Sequence, residues 1–296
     1  MQNVQKGINT DEMVGNIPTR LMKNNLYKGI FFAATVFTSI ILVVLLVRIF
    51  SQGAAHLSWD FMTNFASRRP EQAGIKAALV GTLWMMAVVV PVSTLLGVGA
   101  AIYLEEYAKK NRMTKWIQMN ISNLAGVPSV VFGLLGLTIF VRMFFLGNSI
   151  LAAGFTMSLL ILPVIIVASQ EAIRAVPNEL KEASFGLGAT KWQTILRVVL
   201  PSALPGILTG SILSFSRAIG ETAPLVVIGI PTFVAFLPMS VFDQFTALPM
   251  QIYNWTSRPQ EEFHLLAAAG IIILLIILIL MNSVAVWIRN RYQQRY

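Results

Sequence analysis

Cysteine is absent from the 296-residue chain, which excludes disulfides and thiolate metal sites. Histidine occurs only as His56 and His264, each isolated in or beside a loop, where an interfacial place suits them better than metal ligation. Charge is scarce. Asp, Glu, Lys and Arg make up 12% of the residues, against about 25% in a soluble domain. No Gly-x-x-x-x-Gly-Lys-Ser/Thr phosphate loop occurs. Gly97 and Gly99 sit inside an apolar run without the strand-to-helix setting of a nucleotide fingerprint. These absences exclude ATP hydrolysis by this chain. With no nucleophile–base set visible, they also argue against an enzyme, and no cofactor is called for.

Apolar residues fill the space that charge leaves. They make up 56% of the chain, and the mean hydropathy is +0.70. About 20 apolar residues cross a bilayer as a helix. Six runs qualify, at about 29–50, 77–104, 119–145, 150–169, 207–230 and 264–288. The fold class is therefore all-α integral membrane, with six transmembrane helices. A polar arm, 1–28, precedes the first run, with a short amphipathic helix near Leu21 to Tyr27, and a basic tail, 289–296, follows the last. The arm does not read as a cleaved signal peptide, because the apolar core starts too late and runs too long. Pro91 falls in the middle of the second run, and 105–115 reads as a short charged loop. In the loop 51–76, Trp59, Phe61 and Phe65 are expected at the membrane interface. The loop 231–263, with Phe236, Phe242, Phe245, Tyr253 and Trp255, is long and apolar enough that part of it should pack on the membrane surface.

The formal net charge is +9. The basic residues sit in short clusters beside the apolar runs, which points to the membrane and its lipid rather than to nucleic acid. Assigning loops alternately puts 15 Lys and Arg on one side and 6 on the other, with Arg217 inside a run. The basic side holds both ends of the chain and the loop 170–206, so these are expected in the cytoplasm.

The loop 170–206 is the longest charged segment between two apolar ones. Leu180 to Phe185 reads as a helix that Gly186 and Gly188 break. Thr190 is a candidate N-cap for a second helix from Lys191 to Leu200, closed by Pro201. Glu182-Ala183-Ser184, then Gly188 after three residues, then Val198, Leu200 and Pro201 resemble the EAA loop of ABC importer permeases. Ser184 stands where that pattern has Ala, and Val198 where it has Ile. The resemblance implies a type I importer permease fold whose loop is a cytoplasmic coupling helix docking on a separate ATPase, in a bacterial plasma membrane. By itself the segment also fits an ordinary amphipathic loop between two spans.

Two further stretches stand out. Ala125-Gly126-Val127-Pro128-Ser129 interrupts the third run, with Gly133 and Gly136 beyond it. This is either close helix packing or a broken helix whose free N–H groups face a pathway. Gly206 and Gly210 read as a packing motif. The fifth run carries Arg217 and Glu221, four residues apart on one helical face. Arg217 lies about ten residues in, roughly 15 Å deep and so near the midplane. An unpaired charge there costs about 2.5–3.5 kcal/mol. Either Arg217 offers its guanidinium to an oxyanion in transit while Glu221 holds it and tempers the affinity, or the two form a structural ion pair. Ser211, Ser214, Ser216 and Thr222 are weaker candidates for added hydroxyl donors.

The stretch Arg217-Ala218-Ile219-Gly220-Glu221-Thr222-Ala223-Pro224 narrows the resemblance to the phosphate-specific ABC importer permeases, and its ending is similar to their PstA branch. That resemblance implies a substrate pathway through Arg217 and Glu221. It also implies a PstC-like second permease subunit, two PstB-like ATPase subunits and a PstS-like external binding protein, working by alternating access. Another oxyanion such as molybdate, tungstate or sulfate would suit the same arginine. An ion-driven secondary transporter would leave the EAA loop idle.

Overall fold

A computed structural model of the chain describes residues 17–292. Expectations placed on 1–16 and 293–296 lie outside the described residues. Helix α1 runs Ile17–Gly53. The Leu21–Tyr27 stretch is its first part, not a separate helix: no proline follows it, and the single Gly29 between it and the apolar segment keeps helical backbone, since one glycine weakens a helix without ending it. Its side chains Phe31, Phe32, Phe37, Ile40 and Leu42 are exposed. The hydroxyls of Thr35, Thr38 and Ser39 donate to the carbonyls of Phe31, Ala34 and Thr35 at 2.8–2.9 Å. A helix surrounded by lipid must satisfy such groups internally.

The compact unit from Gln52 onward begins with a short helix, α2 (Trp59–Thr63). Helix α3 is Lys76–Ile102 and continues as a π turn, Tyr103–Tyr107. Next come α4 (Arg112–Leu124), then α5 (Ser129–Gly136) with its π continuation Leu137–Met143, then α6 (Ile150–Arg174). Helix α7 is Asn178–Gly186 and α8 is Lys191–Thr194. A π turn, Ile195–Val199, joins α8 to α9 (Leu200–Gly220). Helices α10 (Ala223–Val227), α11 (Leu248–Thr256) and α12 (Glu261–Tyr292) complete the order. Among the described residues five helical stretches are long and apolar enough to cross a membrane, and the pair α4 and α5, bent by 103°, adds a sixth if the pair is counted as one span.

Helix α6 is the central post. Met157, Ile161 and Ile165 on it are fully buried against Met85 and Val89 of α3. The two run parallel, since Gly154 meets Val88 and Gly97 meets Ile165. A Cβ at Gly97 would come within 2.6 Å of Ile165 Cγ2, so the helices touch only because that position has no side chain. Helix α9 packs antiparallel on α6, with Gly206 against Ala172 and Gly210 against Ala168. Some buried hydroxyls close on their own helix, with Ser93 donating to Val89 O at 2.6 Å and Thr156 to Ala152 O at 2.7 Å, whereas those of Ser169, Ser211 and Thr246 find no hydrogen-bond partner among the described residues.

Several sequence expectations change. The helix that starts at Lys191 is not closed at Pro201 but runs to Gly220. The π turn absorbs the proline: the N–H of Leu200 reaches back to Ile195 O, so the register has slipped just before the residue that lacks an N–H. The fifth run ends at Gly220 rather than 230, because Pro224 cannot donate and its ring crowds the carbonyl of Gly220. Residues 105–107 are helical, not loop. Phe61 is buried and stacks tilted on the buried Trp255, 5.9 Å between ring centroids, while Trp59 is 80% exposed. Phe245 is buried too, and α11 packs one face on α3 and α12, while Phe236, Phe242 and Tyr253 of the same loop are exposed. The first N–H of α11, on Leu248, donates to Thr82 Oγ1 at 2.9 Å.

Replacing Gly210 with valine is expected to force α6 and α9 apart and lower the thermal midpoint of the detergent-solubilised protein, at a cost of about 1–3 kcal/mol. Ala168→Gly in the same chain should recover part of it. A Gly210→Val protein melting with its parent would show that the pair does not depend on this contact.

Candidate functional site: a coupling elbow and a broken span

The elbow is built from local backbone chemistry. Helix α7 ends in a Schellman motif. Ala189 N–H donates to Ser184 O at 3.2 Å and Gly188 N–H to Phe185 O at 2.9 Å, with Gly188 at φ +81°. A side chain at Gly188 would meet open space, so the backbone angle alone demands glycine. Helix α8 then opens with a capping box: Thr190 N–H donates to Gln193 Oε1 at 2.9 Å, and Gln193 N–H donates back to Thr190 Oγ1 at 3.3 Å. The hydroxyls of Ser184 and Thr194 lie 2.9 Å apart and tie the two helices across the turn. The serine that departs from the EAA pattern therefore makes the bond that closes the elbow.

The structure divides the motif residues into two sets. Glu182 and Ala183 are exposed, beside Phe185 at 47% and Leu187 at 91% exposure. Among the described residues Glu182 forms no ion pair. Such an apolar patch with a free carboxylate is suited to a partner. Ser184 and Leu200 belong to the support: Leu180 and Leu200 pack on the buried cluster of Ala101, Ile173, Val199 and Ala203, while Pro201 is exposed. Pro201 lines a small cavity of about 150 Å³ under the helix with Pro177 and Leu180.

The second part lies at the end of α9. Arg217 is in its last turn, and Glu221 is the extended residue that follows, 3.2 Å from Arg217 Nε to Oε1. Only Nε is engaged, so the two terminal guanidinium nitrogens have no partner among the described residues. Both side chains reach the surface of the chain, Arg217 at 45% and Glu221 at 21% exposure. Depth follows from the packing register. With Gly206 opposite Ala172 and Gly210 opposite Ala168, Arg217 is level with residue 161 of α6. That level is about 16 Å from the Ile150 end and about 20 Å from Arg174. The helix therefore stops midway along its neighbour, and the arginine sits at that stop, where a cation also complements the carbonyl end.

The other break falls where the sequence interrupts its third run. Helices α4 and α5 meet at 103° across 125–128. Helix α5 then packs on α10, with a Cβ at Gly133 set to fall 2.9 Å from Pro224 Cα. The segments beyond both breaks thus support one another. The structure does not bring Ser214 into this set: it is buried, and its hydroxyl donates to Gly210 O at 2.9 Å. Ser216 is engaged as well, donating 2.7 Å to Asn282 Oδ1 on α12. Thr222 is half-buried in the break beside Glu221. Sequence reasoning missed Glu105 and Glu106, whose partners lie 65–75 residues away; an acidic pair beside a basic loop was the available signal.

Residues 93–295 match the family described as binding-protein-dependent transport system inner membrane component. A probable ABC transporter permease protein, YqgI of Bacillus subtilis (strain 168), is 32% identical, the match covering 79% of this chain and 84% of that protein. The phosphate transport system permease protein PstA 1 of Mycobacterium tuberculosis (strain CDC 1551 / Oshkosh) is 36% identical, covering 81% and 80%. Among solved structures, a bacterial alginate ABC transporter in complex with its pentasaccharide-bound periplasmic protein aligns over 93% of this chain and 98% of its own, with a TM-score of 0.66 at 15% identity. The MetNI methionine ABC transporter aligns over 73% and 97%, with a TM-score of 0.59 at 18% identity. The chain belongs to the permeases of binding-protein-dependent ABC importers, membrane components that work with a separate ATPase and a binding protein.

Proposed function

We propose that this permease carries inorganic phosphate into the cell, as half of a translocation pathway in a bacterial inner membrane. The observation that carries the reading is the Arg217–Glu221 pair, surface-exposed at a helix end midway along α6 in a chain of this family. Relatives at 28–36% identity named as phosphate permeases support the choice of anion. The excess of Lys and Arg beside one set of helix ends supports an orientation with both chain ends in the cytoplasm.

On this reading a PstS-like protein delivers phosphate to the outer loops, and a PstC-like subunit supplies the other half of the pathway. The free guanidinium nitrogens of Arg217 form charge-assisted hydrogen bonds to the oxyanion. Glu221 competes for the same guanidinium, which keeps the ion from being held too tightly to leave. Thr222 adds a hydroxyl at the break. Ser214, buried and occupied, has no part. Two PstB-like subunits bind ATP, and the exposed face of α7, with Glu182 and Ala183, seats on one of them. Closure of the ATPase pair then moves the elbow as one body and tilts the spans it joins.

Arg217→Gln should reduce phosphate uptake by whole cells at least about tenfold, the loss of one charge-assisted contact, while the ATPase still copurifies; Arg217→Lys should fall between. Full uptake by the glutamine variant would remove Arg217 from the pathway. Gly188→Val places a branched side chain at positive φ, costing roughly 1–2 kcal/mol locally. It should leave membrane insertion intact and lower uptake together with ATPase recovery in pull-down. Normal uptake by that variant would sink the docking role of the elbow.

A further inference from the structure

Three consecutive residues at the end of α3 each hold a cation from a different part of the elbow. Glu105 takes Arg174, the last residue of α6, in a two-pronged contact of 2.6 and 2.9 Å, and also accepts from Gln170 Nε2 at 2.7 Å. Glu106 takes Lys181 of α7 at 2.6 Å, with both side chains largely buried, at 13% and 19% exposure. The ring of Tyr107 lies 4.8 Å under Lys191 Nζ, the first residue of α8. Below them, Ala101 packs with Ile173, Val176, Val199 and Ala203, and Val98 and Ile102 join from the same helix.

The π turn explains how one short segment does this. In an α-helix three successive side chains fan over about 200°. The wider turn at Tyr103–Tyr107 narrows the arc, so all three reach the side where the elbow lies. The pairs also differ from ordinary surface ion pairs, which contribute little because water screens them. The Glu106–Lys181 pair is shielded, and the Glu105–Arg174 contact is forked, so each fixes direction as well as distance.

We infer that the Tyr103–Tyr107 turn is the receiver of the coupling stroke. Glu105, Glu106 and Tyr107 are positioning residues that bind the coupling helix and both its flanks to α3, so that a displacement of α7 moves α3 as well as α9. This rests on the reading of the chain as an ATPase-coupled phosphate permease. Helix α9, which carries Arg217, continues directly from the elbow through α8. Below this turn helix α3 meets the elbow through the apolar contacts of Val98, Ala101 and Ile102, which can slide. The acidic pair makes its attachment rigid.

The test uses the complete transporter in vesicles with its binding protein, reading phosphate uptake and ATP hydrolysis together. Glu106→Lys should leave ATPase copurification and ATP turnover in place and lower phosphate moved per ATP at least fivefold, and Lys181→Glu should do the same. The exchanged pair, Glu106→Lys with Lys181→Glu, should regain more than half of the parent ratio. An unchanged ratio in the single variants, or no recovery in the exchange, would overturn the inference. A second measurement does not depend on the charge variants folding. The parent chain has no cysteine, so Glu106→Cys with Lys181→Cys offers one defined target for a short bismaleimide. The untreated double variant lacks the ion pair and should move less phosphate per ATP than the parent, and the cross-link, which rejoins turn and coupling helix, should raise that ratio. No gain on cross-linking relative to the same variant untreated would overturn the inference. A parent complex that imports no phosphate or recruits no ATPase would instead overturn the functional reading itself.

Discussion

Inside a bilayer a backbone that leaves its helix has no water to satisfy it, and this constraint orders the whole chain. The helices that cross are long and close most of their polar groups on themselves. Their serine and threonine hydroxyls turn back to carbonyls four residues earlier, as at Ser93, Thr156 and Ser158. Against that background a break in mid-helix is costly. The two breaks on the membrane-spanning helices, at 125–128 and at Glu221–Thr222, stand where supporting segments meet: α5 lies on α10, and Val127 and Phe215 pack against one core cluster. The expense is localised where the chain also places its mid-depth charge pair.

The coupling end follows a different economy. It is exposed, short and polar, and needs definite shape without a core of its own. Two hydrogen-bonded caps set back to back provide that shape, the Schellman turn at Gly188 and the capping box at Thr190. Electrostatics then fasten it to the membrane helices. The result is an elbow whose outer face is free for a partner while its inner face is held at several points, a division that a mechanical coupler requires. One continuous helical stretch, Lys191–Gly220, leads directly from the capping box to Arg217.

Much of this is local and so was readable. Gly188 and Thr190 announce a turn and a cap by their own chemistry. Gly126 and Pro128 announce a break, and Pro224 explains why the helix before it stops. Other features needed partners distant in sequence. Phe61 and Trp59 look alike as loop aromatics, but Phe61 has Trp255 and Ile75 to pack against while Trp59 has open surface. Pro201 looks like a terminator until the π turn before it is seen. Ser214 and Arg217 share a helix, yet packing on α6 buries the first and leaves the second open.

Composition and short-range pattern by themselves determined the membrane class, the helical architecture, the elbow motif and the presence of a charged pair in an apolar run. Hydropathy and backbone capping act over a few residues, so they are written in the order of the chain. The run length already put Arg217 near mid-depth; the tertiary structure alone decided that its helix stops there, level with residue 161 of α6 by the glycine register between α6 and α9. It decided which motif residues face outward and which support. It also decided the grip of Glu105 and Glu106 on cations 69 and 75 residues away. Those outcomes depend on which surfaces meet, and helix contact across long sequence separations is set by the packing of the whole molecule.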